Sequence, residues 1–314
     1  MAKPPAPLFR DPIYDGAADP TIIYNRAEKT WWILYTNRRA NVEGPGLAWV
    51  HGTDIGIASS SDGGASWLYR GIVEGLAYEP GRNTYWAPEI LCHDGVYHMY
   101  VSYVPGVPHD WSGRRHILHY TSANLWQWTF QARLPLSSEH VIDACVFQLP
   151  TGAWRMWYKD ESNGSHSYTA DSADLYHWQV RGPVISDHPH EGPNVFAWRG
   201  SIWMVTDTWH GQGVYRSDDA EHWEQQANIL ATGGARREDN VMGNHADVLV
   251  VGERAFIFYF THPGRTTGHQ TPDDQTMPYE DRRTSLQVAE LELTDGVLVC
   301  DRDKDFELDL PNEG

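Results

Sequence analysis

The stretch DPTIIYNRAEKTWWILYTN (Asp19–Asn37) reads as a hydrophobic hairpin: an apolar run, a polar turn, then a second run of aromatic and β-branched residues. The same design returns along the chain. The second strands are TWWILYTN from Thr30, VYHMYVSY from Val96, AWRMWYKD from Ala153, SIWMVTDT from Ser201 and AFIFYFTH from Ala255, and their starts lie 66, 57, 48 and 54 residues apart. A polar or ionisable residue leads each of them: Asp19, Glu89, Asp143, Glu191 and His245, which stand 11, 7, 10, 10 and 10 residues ahead. The spacing puts four carboxylates and a histidine at equivalent places in five copies of one unit. Arranged around an axis, the five side chains converge on one spot.

A second repeat follows the first. Ser61…Trp67, Ser122…Trp128, Ser172…Trp178 and Ser217…Trp223 each hold Ser and Trp six residues apart, with turn-forming residues between them. A tight turn followed by a buried Trp suits the outer hairpin of a sheet. The fifth unit lacks this signature; its outer strands are expected in TSLQVAELEL (from Thr284) and GVLVCDRD (from Gly296), which alternate as strands should. Four strands per unit, repeated with this period, predict an all-β protein: a single-domain five-bladed β-propeller with four antiparallel strands per blade. The blades fall roughly at 19–75, 86–133, 143–183, 191–230 and 245–302 of the 314 residues. Inserts holding Gly44–Trp49, Tyr78–Tyr85, Pro105–Arg115 and Thr266–Arg282 are too long for blade turns and are expected on the binding face. The acidic residues from about Asp303 onward read as a peripheral tail.

Composition narrows the function. Aromatic residues make up 12% of the chain, with 15 Trp, a load no disordered protein carries. The formal net charge of −18 disfavours nucleic acid and an anionic membrane surface as partners and leaves a neutral substrate. Cys92, Cys145 and Cys300 form neither a disulfide framework nor a zinc spacing and read as buried free thiols. The N-terminus MAKPPAPLFRDP lacks the apolar core of a signal peptide, and no apolar run approaches a membrane span, so the expected location is the cytoplasm.

The first strand of a propeller blade lines the central channel, so Asp19, Asp143 and Glu191 should face one cavity. Three carboxylates held together cost free energy unless some are protonated or hydrogen-bonded. Stability has no use for such an arrangement, but hydrolysis of a glycosidic bond has. One carboxylate activates water, a second protonates the leaving oxygen, and a third charge keeps that acid protonated near neutral pH.

With these residues in hand the chain resembles family-43 glycoside hydrolases, of the five-bladed propeller clan that includes arabinanases, β-xylosidases and α-L-arabinofuranosidases. The matching pieces are ADPTII, WAPE, IDA, HEGP and GNHADV, in order along nearly the whole chain from about Asp19. The resemblance implies Asp19 as general base, Glu191 as general acid and Asp143 as the residue that raises and orients that acid, in a single displacement with inversion. It implies Trp86 beside the sugar of the innermost subsite, where its face suits sugar C–H groups. It implies an arginine on the fifth blade in contact with substrate, either Arg282 or Arg283. His245 matches a histidine that in some relatives helps hold a hydrated calcium or sodium ion on the axis; a simply hydrogen-bonded buried histidine is the alternative. The chemistry requires no cofactor. Glu89 departs from the family's usual Asp after Trp-Ala-Pro, and the extra methylene would reshape the substrate site, leaving arabinofuranosides, xylosides and galactofuranosides open. Trp209 and His210 follow the second strand of the Glu191 unit and are expected at a further sugar subsite, with Trp49–His51 and His109–Trp111 as lesser candidates.

The expected function is therefore an inverting, exo-acting hydrolase of terminal furanosides or pentosides, whose partner is a glycoside or oligosaccharide. Three alternatives stand beside it. SSDGGASW (Ser60–Trp67) fits a sialidase Asp-box. A propeller phosphorylase would need a cationic pocket from Arg114-Arg115, Arg236-Arg237 or Arg282-Arg283. A carbohydrate-binding propeller would need no catalytic acids at all.

Overall fold

The computed structural model describes residues 3–266 and 277–312. Twenty strands form five sheets of four, each sheet one antiparallel meander. The first blade comprises β1 (Ala17–Asn25), β2 (Thr30–Asn37), β3 (Asp54–Ser60) and β4 (Leu68–Ile72). The second holds β5 (Thr84–His93), β6 (Val96–Val104), β7 (His116–Ser122) and β8 (Thr129–Arg133). The third holds β9 (Val141–Gln148), β10 (Trp154–Asp160), β11 (His166–Ser172) and β12 (Gln179–Ile185), with a short 3₁₀ turn at Glu161–Asn163. The fourth holds β13 (Glu191–Trp198), β14 (Ser201–Asp207), β15 (Gln212–Ser217) and the two-residue β16 (Glu224–Gln225). The fifth holds β17 (Asn244–Val251), β18 (Arg254–Thr261), β19 (Ser285–Thr294) and β20 (Val297–Val299). The inner strands β1, β5, β9, β13 and β17 each pack beside the next, and β1 meets β17 to close the ring. This is the five-bladed propeller.

The second strands are buried on both faces, which is why they read as continuous apolar runs. Trp32, Trp157 and Trp203 are fully buried between neighbouring blades. The Ser…Trp repeat forms the outer turns. In blades two to four a serine hydroxyl (Ser122, Ser172, Ser217) accepts the N–H groups two and three residues on, and an Asn or Asp two residues on accepts two more. In the first blade Ser60, not Ser61, plays this part: its hydroxyl bonds Asp62 and accepts from Gly64 N. The SSDGGASW segment is thus the outer turn of a blade, a structural repeat shared with its neighbours.

The tail is not peripheral. Phe306, Leu308 and Leu310 are buried in one cluster with Trp31, Phe256 and Val288, across the seam between the first and fifth blades. Leu310 N donates to Gly63 O at 3.0 Å, and Trp31 Nε1 donates to Pro311 O at 2.7 Å. The alternating apolar residues of FELDL make this strap bury one side while its acids face water. Of the insert Thr266–Arg282, residues 267–276 lie outside the described residues; Tyr279–Arg282 is a single helical turn.

Candidate active site

Each inner strand carries one extra residue relative to its partner, a β-bulge at the channel mouth. The bulges fall in the tetrapeptides Ala18-Asp19-Pro20-Thr21, Trp86-Ala87-Pro88-Glu89, Ile142-Asp143-Ala144-Cys145, Glu191-Gly192-Pro193-Asn194 and Asn244-His245-Ala246-Asp247. In four of them the second residue has a positive φ: 47° at Asp19, 43° at Ala87, 58° at Asp143 and 55° at Gly192. Proline fits at the third place, where the ladder asks for no N–H. The five leading residues are therefore not equivalent. Asp19, Asp143 and His245 sit in the bulge, Glu191 one residue before it, and Glu89 two residues beyond.

That offset removes Glu89 from the cavity. Thr21, Glu89, Cys145, Asn194 and Asp247 form a deeper ring around the axis. There Glu89 Oε1 accepts Val146 N at 2.8 Å, Cys145 Sγ accepts Val195 N at 3.2 Å, Asn194 Oδ1 accepts Val248 N at 3.1 Å and Asp247 Oδ2 accepts Ile22 N at 2.8 Å. Each of these side chains ties one inner strand to the next. Burial, with Asp247 beside it, pushes Glu89 well above the ordinary carboxylate range. Glu89, expected at the substrate site, does not line the cavity: its side chain stays two residues below the channel mouth and bonds the next inner strand.

Above this ring lies a cavity of about 350 Å³, lined by Asp19, Asp143, Glu191, Trp86, Trp111, Trp209 and His245 among others. Asp19 is buried, and Arg38 Nη2 donates to both its oxygens at 3.0 and 3.2 Å. Asp143 accepts Gly192 N at 3.2 Å; burial pushes its carboxyl up to about 7, against the pull of His245. Glu191 Oε2 lies 3.0 Å from Lys159 Nζ. Burial alone would raise Glu191, but the Lys159 charge outweighs it and holds the carboxyl below its ordinary value. Asp207 faces Glu191 across the β13–β14 pair and is pushed up to about 7 by burial and by Glu191. It accepts Trp209 N and His245 N, both at 2.8 Å. Burial would lower His245, yet Asp143, Asp19, Glu191 and Asp207 together raise it. Among the described residues no three His, Cys, Asp or Glu side chains gather as a direct metal-ligand set.

Aromatic rings wall the site. Trp86 stands 5.0 Å from His51 and 6.3 Å from Trp111 between ring centres, and its Nε1 donates to Val50 O at 2.6 Å. Trp111 and Trp209 are each about half exposed, and Lys159 Nζ stands 5.3 Å over the Trp209 ring. Trp49 and His51 are buried behind this wall, and His210 is exposed with its carbonyl turned to Asn228. Neither Arg282 nor Arg283 reaches the cavity. Arg282 donates to Val42 O, and Arg283 bonds Glu280 and Glu238, because the turn carrying them packs against the first-blade insert and the N-terminal seam. The cations at the site are instead Arg38, Arg115 and Lys159. Each is matched by a carboxylate, Asp19, Glu161 and Glu191 respectively, which leaves no free cationic pocket for phosphate among the described residues. Arg236 pairs with Asp239 away from the cavity. Pairing could not be read along the chain, since Arg38 just follows β2 and Lys159 lies on β10, and each meets its partner only across a bulge or a blade boundary.

No family model matches the sequence, and no curated protein matches it. Solved structures do match in shape. The chain shares its fold with a thermostable family-43 glycoside hydrolase at 18% identity, covering 96% of this chain and 97% of that one, with a TM-score of 0.66. A family-43 enzyme from Xanthomonas citri complexed with xylotriose matches at 15% identity over 94% and 93%, with a TM-score of 0.68. A family-43 β-1,3-galactosidase with galactodeoxynojirimycin matches at 14% identity over 91% and 93%, with a TM-score of 0.66. The five-bladed architecture is shared with family-43 glycoside hydrolases of known structure, in line with the resemblance carried by ADPTII, WAPE, IDA, HEGP and GNHADV.

Proposed function

We propose that this protein is a glycoside hydrolase that removes one terminal sugar by single displacement with inversion. The observation that carries this reading is the convergence of Asp19, Asp143 and Glu191, from three blades, in one cavity walled by Trp86, Trp111 and Trp209. Aromatic faces suit sugar rings, and the cavity is of monosaccharide-to-disaccharide scale. Asp19, held through both oxygens by Arg38, activates water; Glu191 protonates the leaving oxygen; Asp143 and Asp207, both raised by burial and by Glu191, keep a proton within reach of it. Exo action is supported by the long inserts carrying Val50 and Trp111, both of which line the cavity. Terminal pentosides or furanosides are the substrates of choice, and solved neighbours include enzymes complexed with xylotriose.

The test is a screen against aryl α-L-arabinofuranoside, β-D-xyloside and β-D-galactofuranoside. Turnover lost in Asp19→Asn is expected on every substrate. Glu191→Gln should lose natural disaccharides by about 10²–10⁴-fold while keeping part of its activity on aryl glycosides with good leaving groups. Full hydrolysis of a disaccharide by Glu191→Gln would remove that residue from the mechanism, and internal cleavage of a polysaccharide would remove exo action.

A further inference from the structure

One device recurs on the second strands. Thr36, Ser102 and Asp207 hold the same register position in β2, β6 and β14, opposite the residue that precedes the bulge. Each accepts the main-chain N–H of the bulge residue in the next blade: Thr36 Oγ1 from Ala87 at 2.8 Å, Ser102 Oγ from Asp143 at 2.9 Å and Asp207 Oδ2 from His245 at 2.8 Å. In the third blade that position is Lys159. An ammonium group offers no lone pair, and Gly192 N turns to Asp143 Oδ2 instead. Two blades lack the acceptor: the fifth has Phe260 at this position, and the third has a cation that is 5% exposed.

This cation has two anionic neighbours. Its Nζ lies 3.0 Å from Glu191 Oε2 and 3.2 Å from Glu161 Oε1. Glu161 is itself held by Arg115 Nη1 at 2.8 Å and sits on a turn capped by Asp160. Arg115 Nη2 reaches on to Trp111 O at 2.5 Å. The other groups facing Glu191 are Asp143 from β9, Asp207 from β14, His245 from β17 and the Trp209 indole.

We propose that Lys159 is a positioning residue for Glu191 that Glu161 shares: it bridges the two carboxylates in the free protein and stays on Glu161 alone when Glu191 takes up a proton. A buried ammonium left without an anion is strongly unfavourable, and Glu161 removes that penalty. The direction of the Glu191 titration, held down by Lys159, agrees with the clamp. Its meaning for turnover rests on the glycosidase reading above.

The experiment is a pH titration of ¹³C-labelled glutamate side chains by NMR, with the Glu191 signal assigned by its loss in Glu191→Gln. In Lys159→Met the Glu191 midpoint rises by about one pH unit or more. In Glu161→Gln it falls, because Lys159 then leans on Glu191 alone. The opposite signs make either folded variant sufficient. A midpoint within about 0.3 pH unit of wild type in Lys159→Met, or a rise in Glu161→Gln, overturns the proposal. On a disaccharide the high-pH limb of kcat/KM moves with the midpoint, and on an activated aryl glycoside it stays. A disaccharide limb that stays put while the midpoint moves overturns the clamp's role in turnover. Midpoints that move as stated in a protein that hydrolyses no glycoside uphold the clamp and overturn the glycosidase reading.

Discussion

Asp143 and Gly192 show how single residues set this site. Asp143 is a buried acid whose folded value rises from 3.8 to about 7, so the folded state binds its proton more tightly than the unfolded chain does. That contribution is complete below the unfolded value and is lost as pH rises through about 7. Asp143→Asn keeps an oxygen for Gly192 N and cannot ionise. Its melting temperature relative to wild type should therefore climb by a few degrees between about pH 5 and about pH 8. Thermal melts across that range check the sign; a constant difference would mean that Asp143 stays ionised throughout. Asp19 and Glu191 carry the sharper activity predictions given above, since one is fixed by Arg38 and the other by Lys159.

At the scale of elements the bulge decides everything near the axis. It rotates Asp19 and Asp143 into the cavity, and it separates Glu191, one residue earlier, from Glu89, two residues later. Gly192 holds φ 55°, and a Cβ there would lie 2.8 Å from the His245 ring. Gly192→Ala should cost about 1–2 kcal/mol for the left-handed backbone, and further stability as His245 is pushed aside. Urea unfolding measures the first effect, and a fall in kcat larger than any change in KM reports the second. A variant with wild-type stability and kcat would show that the bulge is free to re-form elsewhere.

The whole molecule is a ring, closed without a chain connection between strands at the seam where the first and fifth blades meet. Asp19 and His245 stand on either side of that seam, 3.8 Å apart at Oδ1 and Nδ1. The C-terminal strap covers it from outside, burying Phe306, Leu308 and Leu310. Ending the chain after Asp305 should remove roughly 1.5–3 kcal/mol for each of the three side chains. Calorimetry should find a lower melting temperature, with activity retained well below it. An unchanged melting temperature would make the strap a passive tail.

The hairpin and Ser…Trp repeats already spelled out five four-stranded blades, because period and alternation are local properties of a chain. The three acids were legible for the same reason: each begins an inner strand, and inner strands share one axis. Aligning the five leaders by their distance to the next strand nevertheless put Glu89 at the channel mouth. The tetrapeptides ADPT, WAPE, IDAC, EGPN and NHAD, laid over one another, give the true register, and Glu89 then falls beside Thr21, Cys145, Asn194 and Asp247. Arg38, Lys159 and Asp207 were not legible as site residues. Lys159 and Asp207 come from second strands and Arg38 from the residue after one, and all act on inner-strand residues across a bulge or a blade boundary, so their partners exist only once the ring has closed. Sequence by itself determined the blades and the acids; the closed tertiary structure decided which cation holds which acid, because charges separated along the chain interact only through the space that folding brings between them.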